Sequence, residues 1–239
     1  MKRRLARREN APRDDLANTT FRGVKISVAV SLLALCLLGA IRENVATQDP
    51  LTRFDASVLE SLHRHATPRG VAIFLLISKI GSPVAMTTLA IAGALVLAYR
   101  RQWVLLGGWT LAFTGTTLLD RWLKFTVHRP RPPYAEALLP HPTWSFPSGH
   151  AMGALVGYGM LAYLLLLLQK DRDRKIQVLI VAGTTALVAA IGASRLYLGV
   201  HYFSDVAGGY AAGLLWLCAC IAGLEMMRRH QVFQLHPTD

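Results

Sequence analysis

The sequence predicts an all-α protein, a polytopic membrane bundle of six transmembrane helices with one short amphipathic helix at the membrane interface. Of the 239 residues, 53% are hydrophobic, and the mean hydropathy is +0.35. A soluble domain of this size interrupts its apolar residues with charge. Here they fall in blocks of 18 to 28 residues, and about 17 to 25 residues span a hydrocarbon core of roughly 30 Å.

The blocks follow a basic segment, residues 1–23, which we expect to be a poorly ordered cytoplasmic tail. The first block could instead be the hydrophobic region of a signal peptide, but its basic leader is long and no clear cleavage site follows it. Together the blocks predict one membrane domain, 24–226, and then a cytoplasmic tail, 227–239. The block boundaries are 24–41, 71–98, 103–123, 149–168, 176–193 and 206–226.

Residues 42–70 connect the first two blocks and carry an apolar stripe at helical spacing, which predicts an amphipathic helix on the membrane surface. The stripe consists of Phe54, Val58, Leu59 and Leu62. The second block contains Lys79 and the pair Gly81–Ser82. We expect a kink or small break at this pair, with Lys79 near a helix end or facing protein.

The distribution of charge indicates a membrane topology. The net charge is +12, and the excess lies at the ends of apolar blocks, which favours anionic headgroups over a nucleic-acid partner. Basic residues are not interleaved with aromatic ones as in single-strand binders. With a cytoplasmic N-terminus, sixteen of the 26 Lys and Arg residues fall in cytoplasmic segments. Both termini are therefore predicted to be cytoplasmic.

Three polar segments interrupt the apolar pattern, and the predicted topology brings all three to the outer face of the membrane. Charged groups next to lipid are energetically unfavourable, so a cluster of them indicates a functional site. The segments are Lys124-x6-Arg131-Pro132, Pro147-Ser148-Gly149-His150, and Ser194-Arg195-x5-His201-x3-Asp205.

The second and third segments contain the groups for attack on a phosphate. His201 and Asp205 are four residues apart, so on a helix they share one face. The carboxylate could then fix the imidazole tautomer and leave the other ring nitrogen free to attack. Ser148 suits a helix N-cap and Gly149 permits close approach to an anion at a helix N-terminus. His150 could protonate a leaving oxygen.

Each pattern also has an ordinary explanation when taken alone: a helix-stabilising His/Asp pair, a capping turn, or cations that anchor helix ends. Lys124, Arg131 and Arg195 repel one another unless an anion lies between them, which favours a shared phosphate site. A further pair, Arg121 and Arg129, is interpreted as interfacial anchors, with Arg129 a candidate for the entrance of the site.

Two other groups of residues have simpler interpretations. Asp120 lies four residues before Lys124 and could pair with it. The cysteines lie inside apolar blocks without a C-x-x-C pair, which is typical of small packing residues. They are Cys36, Cys218 and Cys220.

Together the three motifs resemble those of the type 2 phosphatidic acid phosphatase superfamily, which includes the vanadium haloperoxidases and glucose-6-phosphatase. The resemblance covers roughly residues 50–226, and no motif position departs from the pattern. It implies that His201 is the nucleophile that becomes phosphohistidine, that Asp205 orients it, and that His150 is the general acid. The implied phosphate ligands are Lys124, Arg131, Ser148, Gly149 and Arg195.

The motif chemistry predicts catalysis without a metal or other cofactor. Phosphoryl transfer needs in-line attack and neutralisation of the phosphoryl oxygens. Three cations and a helix N-terminus supply that neutralisation. Asp205 is the only motif carboxylate, whereas a hard metal ion needs several oxygen ligands.

The resemblance to bacterial members of similar size implies an inner-membrane enzyme that acts on a lipid phosphate from the periplasmic side. Undecaprenyl diphosphate is slightly favoured, and phosphatidylglycerol phosphate and phosphatidic acid stay open. A lipid-to-lipid phosphotransferase would use the same site. A transporter or lipid-binding scaffold is disfavoured because transporters carry polar residues at mid-span. A haloperoxidase is disfavoured because those relatives are soluble. No oligomeric state is predicted.

Overall fold

The computed structural model describes residues 29–45, 47, 50–138, 143–169 and 173–235, and within them every regular element is helical. This confirms the all-α prediction, while the predicted tail 1–23 lies outside the described residues. Residues 29–45 form helix α1. The later helices are α2 (Pro50–Arg64), α3 (Pro68–Ile80), α4 (Pro83–Tyr99), α5 (Trp103–Val127), α6 (Gly149–Leu168), α7 (Arg174–Tyr197) and α8 (Phe203–Leu235), with a 3-10 helix at Pro133–Ala137.

Four helical segments in the described part of the chain are long and apolar enough to cross a membrane, so the protein is an integral membrane protein. Two predicted spans are not among them. Glycine and threonine dilute the apolar run of α5, and residues 24–28 of the first block lie outside the described residues. The count of six spans therefore stays a prediction. The four segments are Pro68–Tyr99, Gly149–Leu168, Arg174–Tyr197 and Phe203–Arg228.

The predicted break in the second apolar block is confirmed at Gly81–Ser82, between α3 and α4. Ser82 caps α4, and Pro83 occupies its first position, where the missing N–H removes no helical hydrogen bond. Gly81 lies so close to Ile191 of α7 that a Cβ would not fit. Because of the break, α3 packs on α7 while α4 packs on α5 and α6. Lys79 lies in the last turn of α3 and is exposed.

Helix α6 is the central helix, in contact with α4, α5, α7 and α8. Its side chains Ala151, Met152 and Ala154 are fully buried. Lipid provides no hydrophobic force between helices, so their association depends on close van der Waals packing. Small residues such as alanine permit that packing. At Gly209 of α8, a Cβ would lie 2.7 Å from the backbone oxygen of Ser148, just before α6. The N-terminus of α6 is thereby held against α8 inside the bundle.

Helix α2 forms where the amphipathic stripe predicted a helix, and Leu59 on that stripe is buried. Phe54 is half exposed and meets Phe203 edge to face, whereas its neighbour Asp55 is fully buried. The ring of His63 stacks on Tyr134 at 3.7 Å between centroids. The predicted position of α2 on the membrane surface stays a prediction, but its most deeply buried group is a carboxylate.

Candidate active site

The second and third motifs are joined through the backbone. Ser148 donates its N–H to the carbonyl oxygen of Asp205 at 2.9 Å. Ser148 is the N-cap residue of α6, as predicted, but its hydroxyl makes no capping hydrogen bond. The free N–H groups of the first turn of α6 and this hydroxyl therefore face the same region as the third motif.

The first motif meets the third through Arg131. Its Nη1 donates to the carbonyl oxygen of Val200 at 2.9 Å and lies 3.2 Å from Nε2 of His201. Its Nε donates to the carbonyl oxygen of Thr143 at 2.6 Å. One guanidinium thus connects the segment after α5 to the turn before α8. Burial lowers the pKa of Arg131, although Asp205 and Asp120 oppose that shift.

His201 and Asp205 come together in a way that differs from the expected helical pair. Helix α8 begins at Phe203, so His201 lies in the turn before the helix. Asp205 lies in the first turn, and its Oδ2 accepts the backbone N–H of Tyr202 at 2.9 Å, as in a capping box. The same Oδ2 is 3.5 Å from Nδ1 of His201. That separation is longer than a good hydrogen bond, as is common for catalytic pairs without substrate.

Burial controls the protonation of His201. The ring is 2% exposed, and desolvation lowers the pKa of His201 to about 4. Asp205 opposes this shift, while Arg131 and Arg195 add to it. The imidazole is therefore neutral at pH 7, which is the form that can act as a nucleophile.

Arg195 lies in the last turn of α7 and is almost completely buried. Its Nη1 donates to the hydroxyl of Ser78 on α3, while its Nε has no partner. Ser78 was not predicted as part of the site. It lies three residues before the break at Gly81–Ser82, and a polar residue next to a break inside an apolar block is the signal that could have indicated it.

Lys124 pairs with Asp120, as their spacing indicated, with Nζ 2.7 Å from Oδ2 and 2.8 Å from Oδ1. The pair lies beside the N-terminus of α6. A Cβ added at Gly149 would be 3.1 Å from the Asp120 carboxylate and 3.2 Å from the Lys124 ammonium. His150 follows, within electrostatic reach of Arg195, His201, Lys124 and Arg131.

All eight predicted site residues thus lie at one end of the bundle. Unsatisfied polar atoms are concentrated there. Among the described residues, four buried side-chain atoms lack a hydrogen-bond partner, and three of them belong to the motifs. Buried polar groups are nearly always paired, so this concentration indicates a site shaped for a polar ligand. The three atoms are Ser148 Oγ, Arg195 Nε and His201 Nδ1.

The interpretation of Arg129 as an interfacial anchor is wrong. Its side chain is 8% exposed, and its guanidinium binds Asp205 and Asp55 at 2.7 Å each. Burial tends to lower the pKa of Arg129, but the two carboxylates outweigh it and raise that pKa above its ordinary value. The residue before it, His128, ends α5 with a left-handed backbone (φ +50°), so Arg129 lies beyond the helix.

Asp55 was also missed, although the sequence contained a signal. It precedes Leu59 by four residues and Leu62 by seven, so it lies on the apolar face of α2. A carboxylate on such a face needs a buried partner. Exposed Arg121 remains consistent with an anchor.

Comparisons with known proteins identify the family of this chain. The model of the PAP2 superfamily matches residues 103–229. Phosphatidylglycerophosphatase B of Bacillus subtilis (strain 168) is 39% identical over 137 residues, which are 56% of this chain and 64% of that relative. The match therefore spans just under two thirds of the relative's length.

Two solved structures are similar. The crystal structure of the transmembrane PAP2-type phosphatidylglycerolphosphate phosphatase from Bacillus subtilis has a TM-score of 0.69 and 29% identity, and covers 85% of this chain and 98% of that one. The crystal structure of Aquifex aeolicus LpxE has a TM-score of 0.50 and 26% identity, and covers 70% and 93%. With more than half of its residues matched by the family model, this chain belongs to the PAP2 superfamily, the phosphatases that its three motifs resemble.

Proposed function

We propose that this protein is a membrane lipid phosphatase that removes a terminal phosphate through a phosphohistidine formed on Nε2 of His201. The observation that carries the proposal is the pair of buried, unpaired donors Ser148 Oγ and Arg195 Nε, which lie at the same end of the bundle as His201. A phosphoryl group has oxygens that can accept from the serine hydroxyl and the guanidinium, and a phosphorus atom that the imidazole can attack.

In the first step, neutral His201 attacks phosphorus through Nε2. The bond from phosphorus to the lipid oxygen breaks, and His150 donates a proton to that oxygen to give the lipid alcohol. Asp205 stabilises the imidazolium that forms, from 3.5 Å away at Nδ1. Lys124, Arg131 and Arg195, with the N–H groups at Gly149, neutralise the phosphoryl oxygens.

In the second step, water attacks the phosphohistidine and returns His201 to its neutral form. His150, now without its proton, acts as the base for this water, which follows from microscopic reversibility. The sum is lipid phosphate plus water giving lipid alcohol plus inorganic phosphate. With a lipid diphosphate, the products are a lipid monophosphate and phosphate.

We propose that no metal takes part. Within the described residues, no three His, Cys, Asp or Glu side chains come together as metal ligands. The carboxylates at the site are already bound to cations, Asp120 to Lys124 and Asp205 to Arg129. Three motif cations perform the neutralisation that a metal ion provides elsewhere.

The proposed substrate is phosphatidylglycerol phosphate, for which two of the similar proteins are named. Undecaprenyl diphosphate, slightly favoured by the sequence, is the competing candidate, followed by phosphatidic acid. The motif residues bind phosphate alone, so discrimination among these lipids depends on the surrounding helices. We place the site at the periplasmic face of the inner membrane, with both termini cytoplasmic.

The test is phosphate release from a panel of these three lipids by purified protein in detergent. We expect His201→Ala to lose nearly all release, while the matched control His65→Ala, an exposed imidazole on the loop after α2, keeps it. Substantial release by His201→Ala would overturn the nucleophile assignment. Release only when an acceptor lipid is added would identify a phosphotransferase.

Two further measurements test the metal-independent mechanism and the orientation in the membrane. Treatment with a chelator should leave activity unchanged, and a loss that Mg2+ restores would contradict the metal-independent mechanism. A periplasm-specific reporter fused near Pro140 should be active, and a cytoplasmic signal there would reverse the orientation.

A further inference from the structure

The two oxygens of Asp205 have separate partners. Oδ2 accepts the backbone N–H of Tyr202 at 2.9 Å and faces Nδ1 of His201. Oδ1 accepts from Nη1 of Arg129 at 2.7 Å. With one oxygen bound on each side, the carboxylate cannot rotate without losing a charge-assisted hydrogen bond in a fully buried place.

Arg129 has several further contacts. Nη1 also donates to the hydroxyl of Ser204 at 2.7 Å, and the guanidinium lies 4.1 Å from the ring centre of Tyr202. Its carbonyl oxygen accepts the N–H of Ser145 at 2.9 Å, and Ser145 Oγ donates to the carbonyl oxygen of Pro130 at 3.0 Å. Backbone and side chain of Arg129 are thus both anchored.

The second terminal nitrogen, Nη2, donates to Asp55 Oδ2 at 2.7 Å. Asp55 comes from α2, outside the residues that the family model matches. Its Oδ1 accepts the N–H of Ser204 at 2.9 Å, and its Oδ2 accepts the Ser204 hydroxyl. Asp55 therefore binds both Arg129 and the first turn of α8, the turn that carries Asp205.

We propose that Asp55 and Arg129 are positioning residues that hold Asp205 in the orientation required to fix His201 as the Nδ1–H tautomer. This inference rests on the proposed function of His201 as the nucleophile. Neither Asp55 nor Arg129 contacts Nε2, the side of the ring where the phosphate would bind. They act through Asp205. The geometry of the nucleophile therefore depends on α2, which contains Asp55 and none of the three motifs.

The charges of this unit explain why Arg129 cannot be removed alone. Asp55, Arg129 and Asp205 carry a net charge of −1 in a buried place, and each carboxylate has the guanidinium as its cation. Removing only Arg129 leaves two buried carboxylates facing each other, which is strongly destabilising. Removing Asp55 together with Arg129 restores the net charge of the wild type.

Four variants separate positioning from stability. Asp55→Asn and Arg129→Gln remove one charge each, and the double variant Asp55→Asn/Arg129→Gln removes both. The matched control is the double variant Glu60→Gln/Arg64→Gln, which removes an exposed ion pair from the same helix, α2. For each we measure thermal unfolding of the full chain, and kcat and KM for release of phosphate from phosphatidylglycerol phosphate.

We expect Asp55→Asn to lower kcat by on the order of 10-fold and the double variant by on the order of 100-fold, because a displaced nucleophile costs rate rather than binding. KM should stay within about twofold, since phosphate contacts are intact. The double variant should unfold below the wild-type temperature, because Asp205 has lost its cation, but above Arg129→Gln, which leaves two unpaired carboxylates. The control should match the wild type throughout. A folded double variant with the wild-type kcat would overturn the proposal, as would a loss confined to KM.

A readout without turnover distinguishes this inference from the proposed function. In protein labelled with 15N-histidine, His201 should show the Nδ1–H tautomer, assigned by its absence in His201→Ala. The double variant should show a partial loss of the Nδ1–H tautomer, because Asp205 is no longer held while Arg131 still donates to Nε2. The charged and titratable groups facing this ring are Asp205, Arg131, Arg195 and His150, and all four are unchanged in the double variant. If the wild type releases no phosphate from any lipid, the proposed function fails, while an unchanged tautomer in the double variant overturns the positioning role.

Discussion

Arg131 Nη1 lies 3.2 Å from His201 Nε2, and this contact identifies the nitrogen that carries the lone pair. An arginine side chain has only donors, so Nε2 must accept. The ring proton then lies on Nδ1, 3.5 Å from Oδ2 of Asp205. The two sides of the imidazole are thereby assigned to different tasks, attack at Nε2 and orientation at Nδ1.

The first prediction concerns the pH dependence of the nucleophile. Burial lowers the pKa of His201 to about 4, so the neutral, nucleophilic form persists well below the ordinary value of about 6.5. Attack should be lost only as the pH falls through about 4. The second ionisation of the substrate phosphate, at a pKa of about 6, also changes kcat/KM with pH. The direct measurement is therefore 15N titration of His201 in the full chain. A His201 titration near pH 6.5 would contradict the prediction.

The second prediction concerns the geometry of Arg131. Its fork joins the carbonyl oxygens of Thr143 and Val200, which a lysine cannot do because it offers a single point charge. We expect Arg131→Lys to lower kcat/KM by on the order of 100-fold, from loss of alignment as well as of a phosphate contact. The control is Arg121→Lys on the exposed face of α5, which should leave kcat/KM unchanged. Equal kcat/KM of both variants would show that Arg131 is not a functional residue of the site.

The sequence was sufficient to predict helices but not where they end. Apolar block lengths report the thickness of the hydrocarbon core, whereas a helix continues wherever its residues allow it. The last block was predicted to stop at 226, yet α8 continues to Leu235 through arginine, methionine and glutamine, all good helix formers. In the same way α5 continues to Val127, past the predicted end at 123. Charge defines the membrane boundary, not the helix boundary.

The motif residues were predictable because each motif places fixed chemistry at fixed spacing. The residues that support them were not, since their contacts join separate elements. Asp55 and Arg129 are 74 positions apart, and Ser78 is 117 positions from Arg195. Spacing along the chain carries no information about such pairs. The left-handed turn at His128, with φ +50°, is uncommon for a residue other than glycine, and the spacing of the motifs did not predict it.

The third prediction concerns the close approach at Gly149. A Cβ there would lie 3.1 Å from the Asp120 carboxylate and 3.2 Å from the Lys124 ammonium. We expect Gly149→Ala to displace that pair and to weaken phosphate binding, seen as a raised KM and a raised inhibition constant for inorganic phosphate. The control is Gly183→Ala in α7, where a Cβ meets nothing within 4 Å. That change should leave kinetics unaltered and stabilise the helix by about 0.5–1 kcal/mol.

The last prediction concerns the ion pair of Asp120 and Lys124. Asp120 presents a carboxylate at the place where the motifs predict phosphate oxygens, and it binds the same ammonium that the phosphate requires. Two anions that share one cation compete, so Asp120 should weaken phosphate binding and speed the departure of the product.

Asp120→Asn keeps the shape of the side chain and removes the competing charge. We expect inorganic phosphate to inhibit this variant several-fold more strongly, by on the order of 1 kcal/mol as for a partly exposed ion pair. At saturating lipid, kcat should fall because product release slows. The measurement is product inhibition by phosphate, with Glu60→Gln on α2 as an exposed carboxylate control. Weaker inhibition in Asp120→Asn would instead mean that Asp120 holds Lys124 in place for the phosphate, since an amide cannot fix an ammonium as a carboxylate does.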